Sequence, residues 1–203
     1  MVDNSLRRRS PGRPQAFRPE EALDRAVELF WQHGYERVDV EQIARAVHVT
    51  KPALYREFGD KSTLLLKAVQ RYAQSYGAPM VQAFLEEPDI EKAVTAFCKA
   101  TVDNATGDHR TGCMMAAAAL GQSERVAEIR AYVAQGLAAS ADILGKRFEG
   151  EIRAKRLSAK IPANVRGRAM VDLMQGLLLR AKTGVPRREL LKDALSYVPM
   201  LLS

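Results

Sequence analysis

Thr50, Lys51, Pro52, Ala53, Tyr55, Arg56 and Lys61 fall within twelve residues. Together these types could read a nucleic acid. Lysine and arginine bond guanine edges, alanine or proline can touch a thymine methyl, and hydroxyls and ammonium groups reach phosphate oxygens. Catalytic chemistry finds less to work with. The three histidines, His33, His48 and His109, share no recognisable arrangement with Ser and Asp or with Cys, and GxxxxGK, GxGxxG and HExxH are all missing. Cys98, His109 and Cys113 fall within sixteen residues, without the CxxC or HxxxH spacing of a metal site. A buried core cysteine and a surface histidine are the plainer reading. No catalytic residue, metal ligand or cofactor is expected.

A basic reading face needs a small rigid scaffold, and the neighbouring sequence supplies one. Val40, Ile43, Ala44 and Val47 recur at i, i+3, i+4 and i+7, one face of a helix. Asp39 precedes them and Gln42 lies three residues on, a capping-box spacing. A second short helix opens at Thr50, tolerates Pro52 in its first turn, and turns Val49, Leu54 and Phe58 inward. Gly59 ends it and Asp60 caps the next helix. Two crossed helices of this size form a helix-turn-helix. Upstream, Pro19, Glu20 and Glu21 suit a helix start, and Leu23, Ala26, Val27, Phe30 and Trp31 form a stripe that Gly34 stops. Downstream, Leu64, Leu65, Ala68, Val69, Tyr72 and Tyr76 predict a longer helix, broken or kinked at Gly77-Ala78-Pro79, that links the reading unit to the C-terminal part of the chain.

Gly34-Tyr35, Val40, Ile43-Ala44, Val49-Thr50, Leu54-Tyr55, Phe58, Lys61 and Leu64 resemble, at matching offsets, the TetR family of one-component transcriptional regulators. The resemblance covers roughly Pro19 to Leu65. The chain departs from the pattern at His48, where a small residue is usual, at Val38-Asp39, where a hydroxyl is frequent, and at Pro52, where glycine is frequent. Asp39 would repel a phosphate. The resemblance implies phosphate contacts from Thr50, Tyr55 and Lys61 and base-edge contacts from Lys51, Pro52, Ala53 and Arg56. It also implies a ligand pocket and a homodimer built through the last two helices of each subunit.

The remaining sequence fits that frame. Formal net charge is +7 with a pI of about 9.6, a balance suited to a polyanionic partner. Residues 1–17 read as a disordered basic arm, whose Arg13, between Gly12 and Pro14, could enter a minor groove. No run approaches eighteen apolar residues, so no membrane span is expected and the cytoplasm is the default. Met80 to Ser203 also reads as helical. The fold expectation is all-α, about nine helices, with a DNA-binding domain at 18–64 and a helical ligand-binding and dimerisation domain at 65–203. Tyr72, Tyr76, Met80, Phe84, Phe97, Met114 and Met115 are candidates to line an apolar pocket. Cys113, after Arg110 and Gly112 at a predicted helix start, is a candidate redox sensor, because a helix N-terminus and an arginine both favour thiolate. Val165, Ala169, Leu173 and Leu177, beside Met170, Met174 and Leu178, make an apolar arc wide enough for burial on two sides. With Leu191 and Leu195 they are the candidate dimer interface. The expected function is a ligand-responsive repressor binding a palindromic operator as a homodimer, released by a small apolar ligand or by thiol modification. The alternatives are a helical enzyme, or a dimeric protein-interaction module without sequence-specific DNA binding.

Overall fold

The computed structural model describes residues 17–107 and 112–203. These contain only helices and connections: α1 (Pro19–Arg37), α2 (Val40–Ala46), α3 (Lys51–Phe58), α4 (Lys61–Tyr72), α5 (Ala78–Glu86), α6 (Ile90–Thr106), α7 (Met114–Ala119), α8 (Val126–Arg153), α9 (Ala163–Lys182), α10 (Arg187–Ser196) and α11 (Val198–Leu202). A π turn, Ala73–Gly77, joins α4 to α5 without a break, and Tyr197 joins α10 to α11 in helical conformation. Counted as continuous rods, the described residues therefore make nine, in line with the all-α expectation.

Local chemistry accounts for the head. Asp39 accepts from the Glu41 amide at 3.0 Å while its own amide donates to Gln42 Oε1 at 3.3 Å, so the capping box closes as spaced. Asp60 caps α4 through the Thr63 amide and hydroxyl, at 2.6 and 2.7 Å. Gly34 interrupts the first helix as its sequence position implied. It takes φ +76°, outside helical geometry, and Tyr35, Glu36 and Arg37 form a short helical turn beyond the kink. The left-handed kink is open to glycine because it carries no Cβ.

Two apolar clusters organise the interior. One gathers Ala26, Phe30, Trp31, Ile43, Leu54, Leu65, Val69 and Tyr72 with Met114, Ile129 and Val133. The other gathers Phe84, Val94, Phe97, Cys98, Leu144, Phe148, Met170, Leu177 and Leu190. The first does not stop at residue 64. All of α4 packs into it, and so do residues of α7 and α8. Two arginines tie the far ends. Arg147 on α8, half-buried, donates to the carbonyls of Leu85, Glu87 and Pro88 at 3.3, 3.0 and 2.7 Å, anchoring the end of α5. Its other partner is Glu151, also bonded by Arg156 at 2.7 Å. Arg156 and Arg147 hold the Glu151 carboxyl below its ordinary pKa. Arg166 on α9, fully buried, donates to the carbonyls of Ile161, Ser158, Ser203 and Leu201 and so pins α11 to α9. Buried guanidinium groups need such acceptors to offset lost hydration.

Candidate nucleic-acid interface and internal cavity

The three helices α1 to α3 hold one face of α3 outward. Leu54 and Phe58 anchor it, at 0% and 5% exposure. Thr50, Pro52, Tyr55 and Arg56 are exposed, and Lys51, Ala53 and Lys61 are half-exposed. The Thr50 side chain makes no capping bond, and Arg56 makes no ion pair or hydrogen bond among the described residues. Lys51 Nζ lies 3.8 Å from Asp39 Oδ1 and 5.7 Å from the Tyr55 ring centroid. Lys61 Nζ sits 4.4 Å over the Tyr35 ring, whose hydroxyl pairs with Ser62 at 2.8 Å. Lys51, Tyr55 and Lys61 thus line one shallow groove, together with Arg37 and Asp39. The Glu41 amide bond, aided by Lys51, keeps the Asp39 carboxyl below its ordinary pKa. Its charge serves the cap of α2 and draws Lys51 toward it.

Arg37 escaped the sequence reading because it lies beyond the Gly34 kink, in a short turn with no periodic signal. His48 has φ +56° in the turn between α2 and α3. A left-handed non-glycine residue costs on the order of 1–3 kcal/mol, a strain that glycine would not carry. Arg13 lies outside the described residues.

Below the head, a cavity of about 350 Å³ opens between α5, α8 and α9. Tyr72, Met80 and Met115 line it as expected, joined by Cys113, Gly77, Leu137, Met174, Gln175 and Leu178. The other expected pocket residues are elsewhere. Phe84 and Phe97 stack edge-on at 6.4 Å inside the second core, with Phe148 5.4 Å from Phe84. Met114 is buried in the first core. Tyr76 packs on Trp31 and Tyr72, at 5.0 and 5.3 Å between ring centroids. Their spacing marks an inward face, which core and cavity share equally.

The head touches the cavity wall through Trp31. Its indole Nε1 donates to the Gly112 carbonyl at 3.1 Å, and its ring meets Tyr72 edge-on at 4.7 Å. Gly112, at φ +78°, lies so close to α9 that a Cβ would stand 2.8 Å from Lys182 Cβ and 3.1 Å from the Leu178 carbonyl oxygen. The sequence marked Trp31 only as part of an apolar stripe.

Cys113 requires a correction. It is the N-cap of α7, and its Sγ accepts from the Ala116 amide at 3.5 Å. Burial outweighs that bond and raises the thiol above its ordinary pKa. The helix end does not make it a thiolate at neutral pH, and Arg110 and His109 lie outside the described residues. Cys98, wholly buried in α6, is pushed up to about 11. Iodoacetamide labelling followed by mass spectrometry is expected to be slow for both at pH 7. The Cys113 rate should keep climbing as pH passes 9, with no plateau below it. A plateau near neutral pH would mean that burial does not control this thiol.

On α9 the outward face carries Val165, Ala169, Leu173, Gly176 and Leu179. Val165 and Leu179 are 39% and 65% exposed, and Ala169 and Leu173 are half-buried. Leu191 and Leu195 on α10 are half-buried too. Leu177 is a second correction. At 2% exposure it belongs to its own subunit's core. Among the described residues no group of three His, Cys, Asp or Glu side chains clusters as a metal site, and no helix is long and apolar enough to cross a membrane.

A three-helix head with a basic outward helix, joined by a continuous rod to a helical body with its own cavity, is the architecture of a helix-turn-helix regulator. Residues 22–68 match the description "Bacterial regulatory proteins, tetR family". The HTH-type transcriptional repressor ComR of Escherichia coli (strain K12) is 36% identical over 110 residues, 53% of this chain and 52% of ComR. The HTH-type transcriptional repressor BdcR of the same strain is 29% identical over 91 residues, 45% of this chain and 46% of BdcR. The match thus spans about half the length of these curated relatives. Over a longer span, 93% of this chain and 98% of the other, the structure resembles a cysteine mutant of the TetR family transcriptional regulator CifR, complexed with 26 bp double-strand operator DNA. The TM-score is 0.80 at 27% identity. The chain thus carries a tetR-family domain over residues 22–68, within a fold that it shares with that regulator over most of its length.

Proposed function

We propose that this chain is a transcriptional regulator, most simply a repressor, that binds a palindromic DNA operator as a homodimer and is released by a small apolar ligand. The observation that carries this reading is the face of α3. Lys51, Pro52, Ala53 and Arg56 stand outward on a helix whose other side is sealed by Leu54 and Phe58. That is what a recognition helix needs to enter a major groove. Thr50, Tyr55 and Lys61 flank it as phosphate contacts, and Arg13 in the N-terminal arm would add a minor-groove contact. The outward strip of α9, with Leu191 and Leu195 of α10, is the surface for a second copy. The cavity, against α5 and one hydrogen bond from α1, is placed to couple ligand to head. In this reading the chain is not an enzyme, and it acts in the cytoplasm.

Selection of bound duplexes from a random pool tests the reading. The expected product is an inverted repeat with half-sites about one helical turn, ~34–36 Å, or a multiple apart. On that site Arg56→Ala or Lys51→Ala is expected to cost about 1–3 kcal/mol and to relax base preference at one position per half-site. Tyr55→Phe and Lys61→Ala should weaken all sequences alike. Unchanged affinity in the Arg56 and Lys51 variants would move the reading surface off α3, and a pool with no enriched sequence would remove the regulator reading itself.

A further inference from the structure

The cavity has a closed end and an apolar mouth. Tyr72, in the wall, is 1% exposed, whereas Leu85 and Ile143, also in the wall, are 41% and 42% exposed. An elongated molecule could lie with one end against Tyr72 and leave over an apolar lip. Among the described residues the wall carries no Asp, Glu, Lys, Arg or His. None of these described residues could form an ion pair, and an unpaired charge taken into such a site loses far more hydration than it regains. Burial raises the Tyr72 hydroxyl and the Cys113 thiol alike, so both stay neutral there.

The polar atoms of the wall are mostly committed to the protein. Ser140 Oγ donates to the Gly136 carbonyl at 2.9 Å, Tyr72 Oη receives Asn104 Nδ2 at 3.4 Å, and Gln82 Nε2 donates to Glu86 Oε1 at 2.5 Å. Gln175 on α9 differs. The residue is half-buried, lines the wall and makes no side-chain hydrogen bond among the described residues. A carboxamide can donate or accept, so it can serve an alcohol, a carbonyl or an amide.

Taking the regulator reading as its basis, we propose that the inducer is an uncharged, elongated, largely apolar molecule with a single hydrogen-bonding group that pairs with the Gln175 carboxamide, its apolar body running between Tyr72 and the lip formed by Leu85 and Ile143. The wall selects by charge first, because the cost of an ion is larger than the gain of any one hydrogen bond. The polar group then fixes the ligand's orientation.

The protein carries its own reporter. Trp31 is the sole tryptophan and its ring lies 4.7 Å from Tyr72. The test uses the full chain without DNA, titrated with 1-decanol, decanoate and decylamine below their micelle-forming concentrations, with Trp31 fluorescence as readout. The three probes share a chain and differ in charge. Decanol is expected to give a saturable change with an affinity at least about tenfold above that of either ion. Gln175→Leu should keep the thermal midpoint and weaken decanol by about three- to tenfold, the worth of one hydrogen bond. Equal binding of either ion, no saturable response to decanol, or undiminished decanol binding by Gln175→Leu would each overturn the proposal. No DNA is present, so a chain that binds decanol yet selects no duplex would refute the regulator reading and leave the cavity assignment standing.

Discussion

Gly167→Ala is expected to destabilise the chain by about 3 kcal/mol or more, a fall in melting temperature of roughly 6–12 °C for a protein of this size. The reason is the approach of α9 to α8. A Cβ on Gly167 would stand 2.2 Å from the Ala141 carbonyl oxygen, 2.7 Å from the Gly145 amide nitrogen and 3.0 Å from Gly145 Cα. All three are backbone atoms, so no rotamer change can relieve the clash. The helices must part, and the contacts of Leu144, Phe148, Met170 and Met174 along the seam part with them. Gly150 on α8 is the internal control. Nothing lies within 4 Å of its Cβ position, and Gly150→Ala should therefore be neutral or gain up to about 1 kcal/mol from improved helix propensity. Thermal unfolding of the two variants beside the parent decides the matter. Equal midpoints for Gly167→Ala and the parent would mean that α8 and α9 do not meet at this residue.

The sequence was most legible where structure is set by neighbours in the chain. The capping box at Asp39, the stop at Gly59 and the inward positions Ile43, Leu54 and Phe58 depend on contacts within a few residues, and each sits as its spacing implied. Legibility failed where a residue type admits two fates. Phe84 and Phe97 face inward, yet they meet each other and not the cavity, because α5 and α6 pack face to face. Leu177 lies four residues after Leu173, about 40° further round the helix. That rotation carries it from the outward strip into the core, a difference that an apolar arc drawn from sequence is too broad to resolve. Cys113 shows the same limit in electrostatics. Its place at a helix start can be read from Gly112, whereas the burial that reverses its pKa shift comes from tertiary packing. Trp31, Gly112 and Gln175 matter through contacts that lie far apart in the chain, 81 residues in the case of the indole bond.

Leu173→Arg is expected to convert the proposed dimer to a folded monomer and to weaken operator binding by about 10²–10⁴-fold. The leucine is half-buried on the outward strip of α9, between Ala169 and Gly176, so a long side chain there can extend into solvent in the single chain. Against a second copy the same guanidinium would be buried opposite its own symmetry mate, with neither charge compensated. The loss at the operator is a consequence of linkage. Once one head is bound, the second binds as an intramolecular step, and that advantage vanishes when the subunits separate. Leu177→Arg should behave differently: with its leucine in the subunit core, the variant is expected to lose cooperative unfolding and not merely its partner. Sedimentation velocity at micromolar concentration, circular dichroism and operator titration together separate the outcomes. Retention of dimer by Leu173→Arg would exclude this strip as the interface, and a parent chain that sediments as a monomer would leave the inverted-repeat operator without its explanation.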